Sequence, residues 1–497
     1  MTRRDLRDAK VAVSLADVTC TLNGGEKILD GVNMTVRQGE CVMLIGRSGS
    51  GKTTITKCIN GLIPSFEPGV ELTGRVEVCG LNPSSCEMYE LAERVGSVFQ
   101  NPKSQFFNLT SNDELAFGLE VRGMPVEEIE SRIERTVDAL GARHLLDKRV
   151  TEMSGGEKQS LVFASVDVAH PDVYVLDEPT ANLDAGAVSM LHDQISAVLS
   201  EGRTVIIAEH RLYFATDLVD RAILIEKGRV MREFSPEELA GLTVAERNDL
   251  GLRAVDADAA LCVTIPTPGR EARPYLELTD YAVLRNGTPV FAPTSVSVPP
   301  GGVLGVLGEN GIGKSTLLRG IAGIETKETG EVIVGGVRMT ARDRRRMASL
   351  VMQDVNHQLF SDSVWNECLL AVGGKADDET ERRICSALSS LGLEDKRGVH
   401  PMALSGGQKQ RLAVACSLLA ERRLILLDEP TSGLDLDHMT EVARLVRGLA
   451  DKGVCVVLVT HDREFLNLCC DWAIELRWPE RGCHAGGAHG ACRKHLS

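Results

Sequence analysis

The chain has 497 residues, 43% of them hydrophobic and 25% charged, with a formal net charge of −15. That is enough material for at least two packed domains. The acidic balance counts against a nucleic-acid coat, which needs clustered Lys and Arg, and no run of about 18 apolar residues offers a membrane-spanning helix.

Residues 1–10 are charged and lack the apolar stretch of a secretory signal. The 14 cysteines follow no disulfide spacing, so reduced thiols are expected. The short apolar run at residues 41–45 predicts a buried strand. It leads into Gly46, Arg47, Ser48, Gly49, Ser50, Gly51, Lys52, Thr53 and Thr54, which fit G-x-x-x-x-G-K-[ST]. Glycines at that spacing let backbone N–H groups turn inward around phosphate oxygens, and the helix that follows favours negative charge. Lys52 is then expected on the β- and γ-phosphates and Thr53 on Mg²⁺.

Gln100 follows the apolar residues 96–99, where a carboxamide can touch Mg²⁺ or water. Pro125 precedes Val126, Ile129, Ile133, Val137 and Leu140, a spacing that predicts a helix in a small inserted subdomain. Ser154, Gly155 and Gly156 then open another helix, a second place where backbone N–H groups can receive phosphate. Residues 173–176 predict a buried strand ending on Asp177 and Glu178. A carboxylate at Asp177 can hold the Mg²⁺ shell, and one at Glu178 can orient or deprotonate an attacking water. The strand expected at residues 204–208 ends near His210, whose imidazole can hydrogen-bond a γ-phosphate.

Residues 254–273 contain Pro266, Pro268 and Gly269 without periodicity and read as a linker. Beyond them the same elements recur in the same order. The strand expected at 303–307 meets Gly308, Glu309, Asn310, Gly311, Ile312, Gly313, Lys314, Ser315 and Thr316, 262 residues after the first loop. Gln353 follows an apolar run, and Ile384, Leu388 and Leu391 mark a second inserted helix. Ser405, Gly406, Gly407 and Gln408 repeat the earlier Ser-Gly-Gly element 251 residues on, and Asp428, Glu429 and His461 keep that shift. The metal set expected is therefore Thr53, Gln100 and Asp177 in one half and Ser315, Gln353 and Asp428 in the other. Each half reads as α/β with a parallel sheet, over 11–253 and 274–478. Residues 479–497 are rich in Gly, Ala, His and Cys and predict a disordered tail, in which Cys483, His484, His489, Cys492 and His495 fit no familiar closed metal site.

With these residues in view the chain resembles the ATP-binding cassette family, on Leu404 to Gln408 and its variant Met153 to Glu157, each about 20 residues before Asp-Glu-Pro-Thr. The resemblance implies two tandem P-loop NTPase domains, each with an inserted helical subdomain, that close head to tail around two ATP molecules with Mg²⁺. It further implies crossed sites: Lys52, Gln100, Asp177, Glu178 and His210 with Ser405, and Lys314, Gln353, Asp428, Glu429 and His461 with Ser154. Asp184 and Asp435 would link the halves, and both sites would hydrolyse ATP. Two departures stand out. Leu22 and Leu284 occupy the place where the family stacks adenine on an aromatic, with Tyr281 nearby as a substitute, and Glu157 replaces the family's Gln, implying a slower second site.

Gln100 to Phe107 and Gln353 to Phe360 further resemble the energy-coupling factor branch of vitamin and metal-ion importers. There, Gln, four residues and a second Gln line a groove for a coupling helix, with Phe106, Phe107, Leu359 and Phe360 as its apolar floor. That resemblance implies a peripheral motor on the cytoplasmic face of the membrane, with a transmembrane scaffold and a substrate-binding membrane subunit as partners and no nucleic acid. The alternatives are a sugar or peptide importer ATPase and a ribosome-associated tandem cassette protein.

Overall fold

A computed structural model describes residues 8–181, 183–255, 273–374, 377–431 and 433–479. The Cys/His tail and nearly all of the expected linker lie outside the described residues. Contacts divide the chain into two compact units. One is built from the first half together with Thr431–Ala443 and His461–Leu468, the other from the rest of the second half. No helix among the described residues is long and apolar enough to cross a membrane.

In the first unit the central sheet runs Val95–Val98, Val173–Asp177, Thr204–Ala208, Cys41–Ile45, Arg221–Glu226, Arg229–Phe234. The first five strands are parallel and the last is antiparallel. Strands such as Cys41–Ile45 are buried along their whole length, which explains their unbroken apolar runs. An antiparallel sheet, Lys27–Arg37, Val11–Leu22, Val70–Val78, covers one face. Val13, Leu15 and Val32 from this sheet share a core with Val42, Leu44 and Ile206 of the central sheet and with Ile55 and Cys58 of the helix Lys52–Ile59.

The other face carries the helical subdomain. The helix Val126–Ala139 starts at Pro125 as the spacing predicts and buries Ile129 and Val137. Val126 departs from the expected stripe and is exposed, because in the first turn its side chain clears the core.

The second unit repeats this plan. Its central sheet runs Ala348–Val351, Leu424–Asp428, Cys455–Val459, Val303–Leu307, Trp472–Glu475, all parallel. Antiparallel strands, among them Leu276–Arg285, Thr294–Val298 and Glu328–Val334, form its companion sheet. Ile384, Leu388 and Leu391 are fully buried in the core of the second helical subdomain.

The first unit closes on a buried ionic knot. Arg253 donates to Asp462 at 2.6 Å and to Glu464 at 2.9 Å, and the Ala254 N–H donates to Glu464 at 2.8 Å. Removing the guanidinium takes the hydrogen-bonded counter-charge from the half-buried Glu464 and from the buried Asp462, beside which Arg211 remains as a cation, a loss of about 3–5 kcal/mol for a buried pair. Arg253→Met is expected to lower unfolding stability by that amount in denaturant titrations, and adding Asp462→Asn is expected to recover part of it.

Candidate functional site

The strand Cys41–Ile45 delivers the chain into a tight turn that opens the helix Lys52–Ile59. Gly46 has φ 139°, and a Cβ there would stand 2.2 Å from the Ile225 carbonyl oxygen, so the turn admits only glycine. Lys52 folds back over it, its ammonium donating to the carbonyls of Gly46 and Arg47 at 2.8 and 2.9 Å. Burial pushes that ammonium's pKa down, against the pull of the Glu178, Asp435 and Asp177 carboxylates. Ser48, Gly49, Gly51, Lys52, Thr53 and Thr54 line an open pocket with Ile28, Glu178 and His210. Ser50 is buried beneath the turn. Arg47 donates to the Asp249 carbonyl and pairs with Asp437. The Ser48 N–H donates to the Asp435 carboxylate at 2.7 Å within the same unit.

The catalytic-type carboxylates converge on this pocket. Thr53 Oγ1 donates to Asp177 at 3.0 Å. Burial first, then the neighbouring Glu178 charge, pushes the Asp177 carboxyl up to about 6, although the Thr53 bond and Lys52 pull it down. Glu178 lies in the left-handed region at φ 45°, which turns its side chain out of the strand line. One of its oxygens accepts from Gln100 at 2.6 Å and the other stands 3.4 Å from His210 Nε2. Glu209, absent from the sequence-based set, is fully buried and accepts from the Thr180 hydroxyl and the Arg211 N–H, so it ties the His210 turn to the end of the Asp177 strand.

The second unit repeats the cradle. Gly308 has φ 146°, and Lys314 donates to the carbonyls of Gly308 and Glu309 at 2.7 and 2.9 Å. Asn310, Gly311, Ile312 and Gly313 complete the turn, and Ile312 and Thr316 are buried. Ser315 donates to the Asp428 carboxylate, which burial nonetheless pushes up. One Asp428 oxygen is buried without a hydrogen-bond partner. Glu429 has φ 50° and its N–H donates to the Val459 carbonyl at 2.9 Å. Gln353 is exposed beyond the strand Ala348–Val351, and His461 falls in the segment grouped with the first unit.

The two Ser-Gly-Gly elements both begin helices. Ser154 caps Gly155–Asp167 and Ser405 caps Gly406–Leu419, each by a reciprocal capping box with the residue three positions on. Gly156 packs so closely that a Cβ would stand 2.6 Å from Ala187. Glu157 is not a bare charge: Lys148 donates to it at 2.6 Å.

These residues fit a nucleoside triphosphate with Mg²⁺. Backbone N–H groups and a buried lysine answer the phosphates. A hydroxyl beside the half-buried Asp177 carboxylate, and the orphaned Asp428 oxygen, answer a divalent cation. The expected adenine substitute does not fit. Tyr281 is fully buried, its hydroxyl donating to Glu328 at 2.7 Å, because the strand alternation at 281 points into the core. Leu22 is exposed and Leu284 half-buried.

The segment after each Gln is also built twice. Gln105 accepts from the Phe99 N–H and donates to the Ser97 carbonyl, and Gln358 does the same with Met352 and Leu350. Glu114 accepts from the N–H groups of Phe107 and Asn108, and Glu367 from those of Phe360 and Ser361. The loops thus hold Phe107 and Phe360 in water, 74% and 80% exposed, while Leu359 is buried and Phe106 half-buried. Only the first two therefore present an apolar face.

A family model described as "ABC transporter" matches residues 29–181 and 291–432. A putative ABC transporter ATP-binding protein of Treponema denticola is 38% identical over 467 residues, covering 92% of this chain and 94% of its own length. A putative HMP/thiamine import ATP-binding protein, YkoD of Bacillus subtilis, is 30% identical over 478 residues, covering 90% and 86%. A solved assembly described as ribosome-bound archaeal Pelota and ABCE1 has the same fold, with a TM-score of 0.64 over 92% of this chain and 76% of its own, at 21% identity.

The Asp177 shift makes the nucleotide-free protein pH-sensitive. With the folded pKa raised above the usual 3.8, this group's contribution is most favourable below 3.8 and is lost as pH rises through about 6. Asp177→Asn is expected to stabilise the nucleotide-free protein by roughly 2–3 kcal/mol at pH 8 and by about half that at pH 5. Denaturant unfolding at the two pH values checks both the gain and its shrinkage.

Proposed function

The chain belongs to the ABC transporter ATP-binding family and is an ATPase, and from that premise we propose that it drives a membrane importer of the energy-coupling factor type. The observation that carries the importer reading is the doubled loop: two Gln-clamped segments, in corresponding places, hold Phe107 and Phe360 out in water. Phe107 stacks on Phe117 with ring centroids 5.2 Å apart, yet most of its ring, like that of Phe360, stays in water, and apolar anchors in polar surroundings are the usual means of gripping a partner helix. The partners are a transmembrane scaffold, which supplies that helix, and a substrate-binding membrane subunit. The motor then works peripherally on the cytoplasmic face.

The cargo proposed is a vitamin, a vitamin precursor or a transition-metal ion. The name of the Bacillus subtilis relative supports the precursor end of that range. The likeness to the ribosome-bound assembly is one of fold at low identity and brings no ribosome role to this chain.

Domains at 11–253 and 274–478, joined by 254–273 and followed by a tail from 479, would pair with each other. One ATP would then be held by Lys52, Thr53, Gln100, Asp177, Glu178 and His210 opposite Ser405 to Gln408. The other would be held by Lys314, Ser315, Gln353, Asp428, Glu429 and His461 opposite Ser154 to Gly156. Glu178 and Glu429 would act on the attacking water, and Mg²⁺ would neutralise charge developing on the phosphates.

Glu178→Gln and Glu429→Gln are each expected to lower ATP turnover roughly a hundred-fold, with Mg-ATP affinity held within a few-fold. Near-normal turnover in either variant removes that residue from the chemistry. Phe107→Asp with Phe360→Asp is expected to abolish co-purification with a multi-helix membrane protein and to leave soluble ATPase activity unchanged. Retained co-purification overturns the coupling-loop reading.

A further inference from the structure

The two helix-capping turns differ in one charge. Ser405 is capped by Gln408, whose single carboxamide oxygen accepts from the Ser405 N–H at 3.0 Å. Ser154 is capped by Glu157, one of whose oxygens accepts from the Ser154 N–H at 2.9 Å. A neutral side chain completes the cap in one half, so the charge in the other half is not needed for capping.

The second Glu157 oxygen accounts for the difference. It accepts from Lys148 Nζ at 2.6 Å. The residue 251 positions after Lys148, the spacing that relates Glu157 to Gln408, is Val399, which carries no charge. Charge and counter-charge are thus present together in one half and absent together in the other. Lys148 is also anchored, its N–H donating to Ser111 Oγ at 3.2 Å and its carbonyl accepting from the Ser111 N–H at 2.9 Å. The ammonium therefore starts from a fixed backbone.

We infer that Lys148 is a positioning residue for the Ser154 turn: it neutralises Glu157 and holds its carboxylate in the cap, so that a nucleoside triphosphate meets an N-terminus with no net negative charge. This rests on the reading that the Ser154 turn receives nucleotide phosphate. The physical need is plain. A helix N-terminus attracts anions through its free N–H groups and dipole, and an unpaired carboxylate in the first turn repels the same anion and occupies the donors it would use. Lys148 confines the carboxylate to one cap bond and one ion pair. The pairing also removes the ground for expecting a slow site from the Glu157 charge alone.

The test is steady-state ATPase of the full chain at low and high salt. Lys148→Ala is expected to raise the KM for Mg-ATP about five-fold while kcat stays within two-fold. The effect should shrink at 0.5 M NaCl, where charges more than a few Å apart are screened. Lys148→Ala with Glu157→Gln is expected to bring KM back to within two-fold of the parent, because the turn then matches the one at Ser405. Lys148→Met keeps the aliphatic stem and should behave as Lys148→Ala does, which covers a folding failure of the shorter variant. An unchanged KM in both single variants, or a raised KM that Glu157→Gln does not correct, overturns the inference. Ser154→Ala is the control for the underlying reading. If it leaves ATPase unchanged, that reading fails; if it lowers ATPase while the Lys148 variants do nothing, only the role of Lys148 fails.

Discussion

A buried ammonium held by two backbone carbonyls is the constraint around which each half is arranged. Lys52 and Lys314 each donate to the first and second residues of their own turn. That geometry requires a backbone that only glycine adopts at Gly46 and Gly308. It also requires a rigid strand in front and a helix behind. Strands buried on both faces supply the rigidity, and the antiparallel sheet packed over the first helix fixes where that helix begins.

The charge around this lysine explains why the site calls for a cation as well as an anion. Asp177 is half-buried and Asp428 buried, and desolvation pushes both carboxyls above the ordinary carboxylate range. Each has a hydroxyl donor, but that does not balance a full negative charge away from water. A divalent metal bound with the nucleotide would supply the balance. Glu178 is turned out of the strand line by its left-handed backbone and accepts from Gln100, which leaves a carboxylate facing the pocket.

Much of this was legible in the sequence because it depends on local spacing. The phosphate turns, the strand-end carboxylates and the helix-opening serines are short patterns whose geometry follows from a few consecutive residues, and the strands Cys41–Ile45 and Val303–Leu307 are visible as apolar runs. The companion sheets are not legible in the sequence, since their strands alternate and carry exposed polar faces that resemble loops. Tyr281 is not reachable for adenine although its position along the chain suggests it, because a count of residues does not say which side of a strand a residue faces. Lys148, Glu209 and Arg253 escaped for a different reason. Their partners lie 9, 29 and about 210 residues away, and no periodicity connects them.

The Gln105 and Gln358 clamps have a mechanical consequence. Each carboxamide ties its loop back to the strand it has just left, so strand end and loop tip form one stiff piece rather than a hinge. A force applied at Phe107 is therefore not dissipated in bending the loop. It would arrive at the start of the same segment, where Gln100 donates to Glu178, so a tug on an aromatic ring at the surface would become a displacement beside the carboxylate proposed to act on water.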